Sequence, residues 1–409
     1  MRILLLVLLL AAFKTAGAQW QPINVTEGSD IFGASFLSSQ TGYVCGYGNR
    51  LQKTTDGGVT WIDLSFEGTQ HNLNSVEFIN NLTGFLASSN DTVYKTSDGG
   101  FTWYHKYFIG YPVMNIQFLD SMNGFASGYN KFSVTTNSGA TWTTSSAPAD
   151  GNIYFLNSLT GWSTKYLGGG NSELHKTTNG GVNWTLQLST TGFRILYDVF
   201  FVNQNTGWVS GYRHYIARTT NGGANWEVQH ETESGPGLYS IRFINSQTGW
   251  TAGDRQNSVS CYYTTNGGSD WLNETGVVHS GRLTKVRFIS SVYGWIVGQY
   301  GKAFKTLNAG GLTGIKNPVS GVSGFELNQN YPNPFNPSTV ISFSVPERGF
   351  VSLKIYDALG REVAEPVNGV MNGGFHSVKF DAGNLSAGIY FYKLISGRNS
   401  SMRKMIVLK

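Results

Sequence analysis

Charge is scarce in this chain. Only 13% of its 409 residues are Asp, Glu, Lys or Arg, about half the usual share. With 40% apolar residues it does not read as a disordered segment. The net charge of +5 is unevenly spread. Residues 19–313 carry 17 Lys and Arg against 18 Asp and Glu, whereas residues 324–409 carry 9 against 6. The larger part is therefore neutral, which argues against a nucleic-acid binder driven by phosphate contacts. No Cys–His metal spacing, phosphate loop or nucleophile elbow is present. Gly168-Gly169-Gly170 lacks the Lys-Ser/Thr that a phosphate loop needs. No metal and no cofactor is expected.

Long apolar runs are also missing after the N-terminus. There, Arg2 precedes an apolar stretch over residues 3–13, too short to span a bilayer. Ala16-Gly17-Ala18 follows, and no cysteine comes next. This pattern predicts a signal peptide over residues 1–18, cleaved before Gln19, without a lipid anchor. Only two cysteines occur, Cys45 and Cys261. The repeat register below puts them in non-adjacent repeats at positions taken elsewhere by small or apolar residues. Two free, buried thiols are expected rather than a disulfide.

Glycine and aromatic residues are plentiful, at 52 glycines and 14% aromatics. That mixture suits short strands and tight turns around a ring-filled core. One signature, Thr54-Thr55-Asp56-Gly57-Gly58-Val59-Thr60-Trp61, recurs with its tryptophan at 103, 142, 184, 226 and 271. A worn seventh copy, Asn308-Ala309-Gly310-Gly311, lacks the tryptophan. A second signature, Gly followed by an aromatic residue, precedes each copy, from Gly42-Tyr43 to Gly294-Trp295. Runs alternating with period two, such as residues 75–80, lie before most of these and read as half-buried strands. Four strands per repeat of about 42 residues describe a propeller blade. The expected fold is all-β: a seven-bladed β-propeller over residues 19–313, a linker over 314–323 and a small β-sandwich over 324–409. Residues 20–25 resemble the Trp strand that blade 7 lacks, and are expected to latch the ring shut.

The repeated Ser/Thr-x-Asp-x-Gly-x-x-Trp motif resembles the Asp box of sialidase-like propellers, and the domain resembles the repeat family of photosystem II assembly and stability factors. The boxes comprise Asp56 with Trp61, Asp98 with Trp103, Asn137 with Trp142, Asn179 with Trp184, Asn221 with Trp226, and Asn266 with Trp271. A structural role is expected, since a short acid or amide can bond nearby backbone N–H groups while glycines permit positive φ. One acid or amide per turn is too few for calcium.

The C-terminal part contains Asn330-Tyr331-Pro332-Asn333-Pro334-Phe335, then Asp357-Ala358-Leu359-Gly360-Arg361-Glu362-Val363, then Gly388-Ile389-Tyr390-Phe391-Tyr392 and a basic end, Arg403-Lys404. Strands are expected over residues 340–345, 351–356, 376–380, 389–394 and 402–408. These motifs resemble the type A C-terminal sorting domain of the type IX secretion system. The resemblance implies an engagement of that machinery by residues 324–409 and a secreted or outer-surface product.

The resemblance to Asp-box propellers also implies a ligand face opposite the Asp-box turns, built by the loops between second and third strands and by the connections between blades. Tyr47, Arg50, Tyr129, Lys131, Tyr212, Arg213, Arg255 and Tyr300 are the nominated ligand-binding rim. Tyrosines and cations suit a glycan or a protein ligand. His214 and His279 read as solvated loop residues. The expected function is a non-catalytic, monomeric binding or scaffold propeller. A glycoside hydrolase is the alternative, with Asp150, Glu231 and Glu233 as candidate acids, and a photosystem II assembly factor-like protein is a further one. Deleting residues 324–409 is predicted to trap the protein in the periplasm, and fractionation of the producing cells checks this. Normal secretion of the truncated chain would refute the sorting assignment.

Overall fold

The structure is a computed structural model that describes residues 20–25, 28–65, 71–103, 105–233, 235–256, 259–274, 277, 281–307, 326–327, 330, 333–345, 349–371, 374–397 and 399–408. The chain divides into two units, residues 1–312 and 313–409.

In the first unit the described residues form seven four-stranded antiparallel sheets. In blade 1 the strands, a to d, are Ile31–Phe36, Gly42–Gly46, Leu51–Thr54 and Ile62–Asp63. Blades 2 to 6 repeat that order. Each innermost strand a touches its neighbours in the blades on either side, and blade 7 touches blade 1, so the sheets close into a ring. Blade 7 is composite. Its strands Leu283–Phe288, Gly294–Gly298 and Lys302–Thr306 are completed by Gln21–Asn24. Gln21 lies opposite Lys305 and Asn24 opposite Lys302. The expected latch is thus present, and no blade edge is left open where the chain ends meet.

The two sequence signatures have one physical cause. Strand a of every blade ends in phenylalanine: Phe36, Phe78, Phe118, Phe155, Phe201, Phe243 and Phe288. The glycine that opens strand b lies beneath that ring, and a Cβ there would collide with it, as at Gly84 under Phe78. The aromatic residue after the glycine stacks on the phenylalanine of the next blade. Tyr43 meets Phe78 at 3.5 Å between centroids, Trp208 meets Phe243 at 3.5 Å, and Trp295 meets Phe36 across the ring closure at 4.0 Å. The Asp-box tryptophan then meets the same phenylalanine edge-on, as Trp103 does on Phe78 at 6.1 Å. In blade 7 the worn box has no tryptophan, and Trp20 supplies the edge, 6.0 Å from Phe288.

The Asp-box turns are rigid by local bonding. Asp56 Oδ1 accepts the backbone N–H groups of Val59 and Thr60 at 3.0 and 2.9 Å. Thr54 Oγ1 accepts Gly58 N–H at 2.8 Å. Gly57 and Gly58 have φ of 73° and 89°, which a side chain would resist. Asn replaces Asp without loss of the bond: Asn221 Oδ1 accepts Asn225 N–H at 2.9 Å. A lysine on strand c ties each of several turns to the preceding blade. Lys53 Nζ donates to Gly99 O at 3.2 Å, and Lys305 Nζ to Gly57 O at 2.9 Å across the closure. Cys45 and Cys261 are free and buried, as expected.

The second unit is a β-sandwich. A sheet of Glu326–Leu327, Ser338–Val345 and Gly374–Asp381 faces one whose order is Glu362–Met371, Gly349–Asp357, Gly388–Ser396, Asn399–Val407. Ile341, Phe343, Leu353, Ile355, Tyr392 and Met405 are fully buried in its core. The strand Glu362–Met371 was not among the expected ones. It contains Pro366, which cannot donate to a ladder, and it lies at a sheet edge where that loss is tolerated.

Replacing Trp20 with alanine is predicted to destabilise the propeller by ~3–5 kcal/mol, the usual cost of emptying a large buried aromatic site. A thermal or denaturant melt of the secreted protein checks this, and an unchanged midpoint would count against the latch.

Candidate functional site

The residue four before each strand-a phenylalanine faces the propeller axis in every blade. Counting back four gives Phe32, Asn74, Met114, Gly151, Tyr197, Tyr239 and Thr284, one per blade, and all seven line a single cavity of about 770 Å³. The cavity is therefore the mouth of the central channel, on the face opposite the Asp-box turns. Arg282, Lys285, Asn152, Asp150 and Tyr166 also line it.

One wall is a stack running across three blades. The rings of Tyr197 and Tyr239 lie 4.6 Å apart. The Arg282 guanidinium sits over Tyr239, 4.3 Å from its centroid. Asp254 orders the stack, accepting from the Tyr239 hydroxyl at 2.8 Å and from Arg282 Nε at 2.9 Å. Burial and the bond to Asp254 push the Tyr239 phenol far above its ordinary range.

Lys285 crosses the channel from blade 7 and donates to Asn152 Oδ1 of blade 4 at 3.3 Å. Asn115 Nδ2 donates to the same oxygen at 2.7 Å, and Asn152 Nδ2 donates to Tyr197 O. This bridge floors the cavity. Around it, Arg242 pairs with Asp198 at 2.6 Å, and Arg287 Nε donates to Ala34 O at 3.2 Å. Burial pushes the Glu77 carboxyl up to about 7, against the pull of Arg287 and Arg242.

The nominated rim lies on the same face but outside the cavity. Tyr47, Tyr129 and Tyr300 are exposed on turns between strands b and c. Their recurrence is not a register. Tyr47 and Tyr212 N–H groups donate to Asp30 O and Ile195 O, but in blade 7 that place belongs to Gln299, which donates to Arg282 O, so Tyr300 stands one position later. Arg50 is half-buried beside its turn. Lys131 Nζ donates to Ser146 Oγ at 3.3 Å. Arg213 donates to Gly192 O and Glu233 O, which fixes its own turn. Arg255 lies in the strand Gly249–Gln256, with its side chain outside the described residues. Of the acids, Asp150 reaches the cavity, whereas Glu231 pairs with Arg194 at 2.8 Å. The charged residues within strand a were not nominated. Aligning the seven repeats on their phenylalanines would have exposed them.

His214 is a correction. It is not solvated: it is 1% exposed at the interface of blades 5 and 6. Its turn position, with φ of 54°, folds the ring inward, and Nδ1 meets the Tyr262 hydroxyl at 3.2 Å. His230 lies alongside, 6.4 Å between centroids. Burial, then the neighbouring His230, lowers His214 to about 4, with Asp254 opposing, and burial lowers His230 as well. His279 lies outside the described residues.

Residues 329–408 match the family described as a secretion system C-terminal sorting domain. Residues 12–105 and 185–273 match the family of the photosynthesis system II assembly factor YCF48. No curated protein matches the chain. Among solved structures, YCF48 bound to D1 peptide is 21% identical with a TM-score of 0.60, covering 71% of this chain and 97% of its own. YCF48 from Cyanidioschyzon merolae is 17% identical with a TM-score of 0.59, covering 71% and 99%. PorZ, a bacterial surface component of the type IX secretion system of Porphyromonas gingivalis, is 13% identical with a TM-score of 0.51, covering 93% of this chain and 60% of its own. These structures share the fold. Among the described residues no helix is long and apolar enough to cross a membrane.

Because His214 and His230 bind protons less readily folded than unfolded, stability is predicted to fall as pH drops from 6.5 toward about 4. His214→Asn, which restores the residue found at the equivalent Asn49, should flatten that slope in melts taken across the range. The chain thus joins a β-propeller, matched in part by the YCF48 family model, to a segment that matches a secretion system C-terminal sorting domain, which indicates export to a secreted or cell-surface location.

Proposed function

We propose that the exported propeller is a non-catalytic binding protein that holds a segment of another protein in the cup at its channel mouth. The observation that carries this reading is the cup itself, about 770 Å³ in volume, lined from all seven blades and walled by the Tyr197–Tyr239–Arg282 stack. Concave sites with aromatic walls and a few ordered polar groups suit ligand capture. Tyrosine and arginine are also the residues that dominate protein-binding energetics. The similar YCF48 propeller, seen bound to D1 peptide, supports a peptide as the class of ligand.

A glycosidase needs two carboxyl groups flanking one bond. Among the described residues that line the cup, Asp150 alone carries a carboxylate, and its Oδ1 accepts Asn130 N–H at 2.8 Å. That arrangement favours binding over hydrolysis.

The test is a capture experiment with the secreted protein against peptide and glycan arrays, followed by Tyr239→Ala. Binding to a peptide is predicted to weaken at least ~10-fold on loss of this anchor. Binding lost instead in the Arg50, Arg213 and Arg255 triple variant would move the site outward to the rim. Turnover of any arrayed glycan would replace the proposal with a hydrolase.

A further inference from the structure

The channel beneath the cup holds more positive charge than it neutralises. Three cations from strand a of blades 6 and 7, Arg242, Lys285 and Arg287, share the space with two acids, Asp198 and Glu77. Asp198 is committed to Arg242, with which it pairs at 2.6 Å. It also accepts Ile241 N–H at 3.0 Å through the same oxygen. Glu77, the remaining acid, is raised by burial to about 7, against the pull of Arg287 and Arg242, so near pH 7 it supplies only part of a charge. Arg287 Nε and Nη1 donate to the carbonyls of Ala34 and Val286, which carry no net charge. Among the described residues Lys285 donates to an amide oxygen, that of Asn152, and to no carboxylate. Enclosed charges without counter-charge are costly.

The cost is visible on the lysine. Burial lowers Lys285 to about 8, Asp198 opposes, and the two arginines lower it further. An anion beside it would remove that penalty. Lys285 is also the member of the cluster that lines the cup, so a ligand entering from the mouth reaches it first. Asp150, the carboxylate among the described lining residues, is occupied at Asn130 N–H and does not serve as its partner.

We infer that the floor of the cup is a binding site for one anionic group, a carboxylate or an inorganic oxyanion, held by the Lys285 ammonium against Asn152. This rests on reading the cup as a binding site, and it assigns the floor a chemistry distinct from the aromatic wall. The wall orients a ligand and the floor selects its charge.

The test is calorimetric titration of the secreted full-length product with sulfate and, separately, with acetate, at constant ionic strength. Sulfate binding without acetate binding assigns an inorganic oxyanion, and acetate binding assigns a ligand carboxylate. In either arm Lys285→Gln, which can keep a bond to Asn152, is expected to weaken binding ~10-fold or more, as loss of a charged hydrogen bond does. Lys285→Arg is expected to restore it. Asn152→Asp supplies an internal anion and is expected to abolish binding of the added one, a result that does not depend on the lysine variants folding. Equal affinity in wild type and Lys285→Gln, or no binding of either anion, would overturn the inference. Peptide capture that survives Lys285→Gln but not Tyr239→Ala would overturn the floor alone and leave the wall standing.

Discussion

The propeller depends on a phenylalanine sandwiched at every blade interface. One face of the ring closes over the glycine of its own sheet, the other receives a flat aromatic ring from the preceding sheet, and a tryptophan seals the edge. A pair of aromatic rings contributes about 0.5–1.5 kcal/mol beyond the area it buries, so no single interface holds the structure. Seven of them in a circle do, because each sheet has two neighbours and none can leave without opening two stacks. The same geometry explains why Trp20 matters. Blade 7 has the phenylalanine and a facing ring but no Asp-box tryptophan, and Trp20 fills that position.

Putting the stabilising contacts between the sheets leaves the axis free to vary. The interface uses the last residue of strand a and the buried one two before it, such as Val76 and Val286, while the positions between look toward the channel. These axial positions carry Glu77 in blade 2, Tyr197 in blade 5, Tyr239 in blade 6, and Lys285 and Arg287 in blade 7. A repeat that needed those positions for packing would have filled them alike in every blade. Their inequality shapes the cup: aromatic and cationic on blades 5 to 7, amide-rich on blades 2 and 4.

Much of the fold was legible because its determinants are local. Period-two alternation marks strand a, Asp-Gly-Gly marks a turn whose Asp and Thr side-chain bonds fall within five residues, and the glycine before an aromatic ring marks the place where a phenylalanine must fit. Even the latch was legible, since Trp20 stands in the sequence context of the missing tryptophan. The cup was less so. Its lining residues lie roughly 40 residues apart, and each alone reads as an ordinary strand residue; only their convergence at the axis makes a site. The rim tyrosines were visible because they sit beside glycines in turns, a local signal that reports turn geometry rather than a shared surface. His214 misled for a related reason. Its turn context reads as solvent-facing, but a positive φ at that position directs the side chain into the blade interface, where Asn49 sits in blade 1 and Gly301 in blade 7. Pro366 hid a sandwich strand because proline argues against a central strand and says nothing about an edge.

The position of the closing strand also constrains when the ring can form. Gln21 pairs with Lys305, so the first strand of the propeller waits for nearly the whole domain before it has a partner. Blades 1 to 6 have complete strand sets from contiguous chain, and their stacks can form as the chain lengthens. Blade 7 cannot, and with it the contact of Phe36 on Trp295 and of Lys305 on Gly57 must come last. Contacts this distant in sequence are slow to form because the intervening loop must first be ordered. Until they form, the cup has no complete wall, since Arg282, Thr284 and Lys285 belong to the last blade. Closure of the circle and completion of the binding site are therefore one event, and the strand that performs it is the segment immediately after the predicted signal cleavage point.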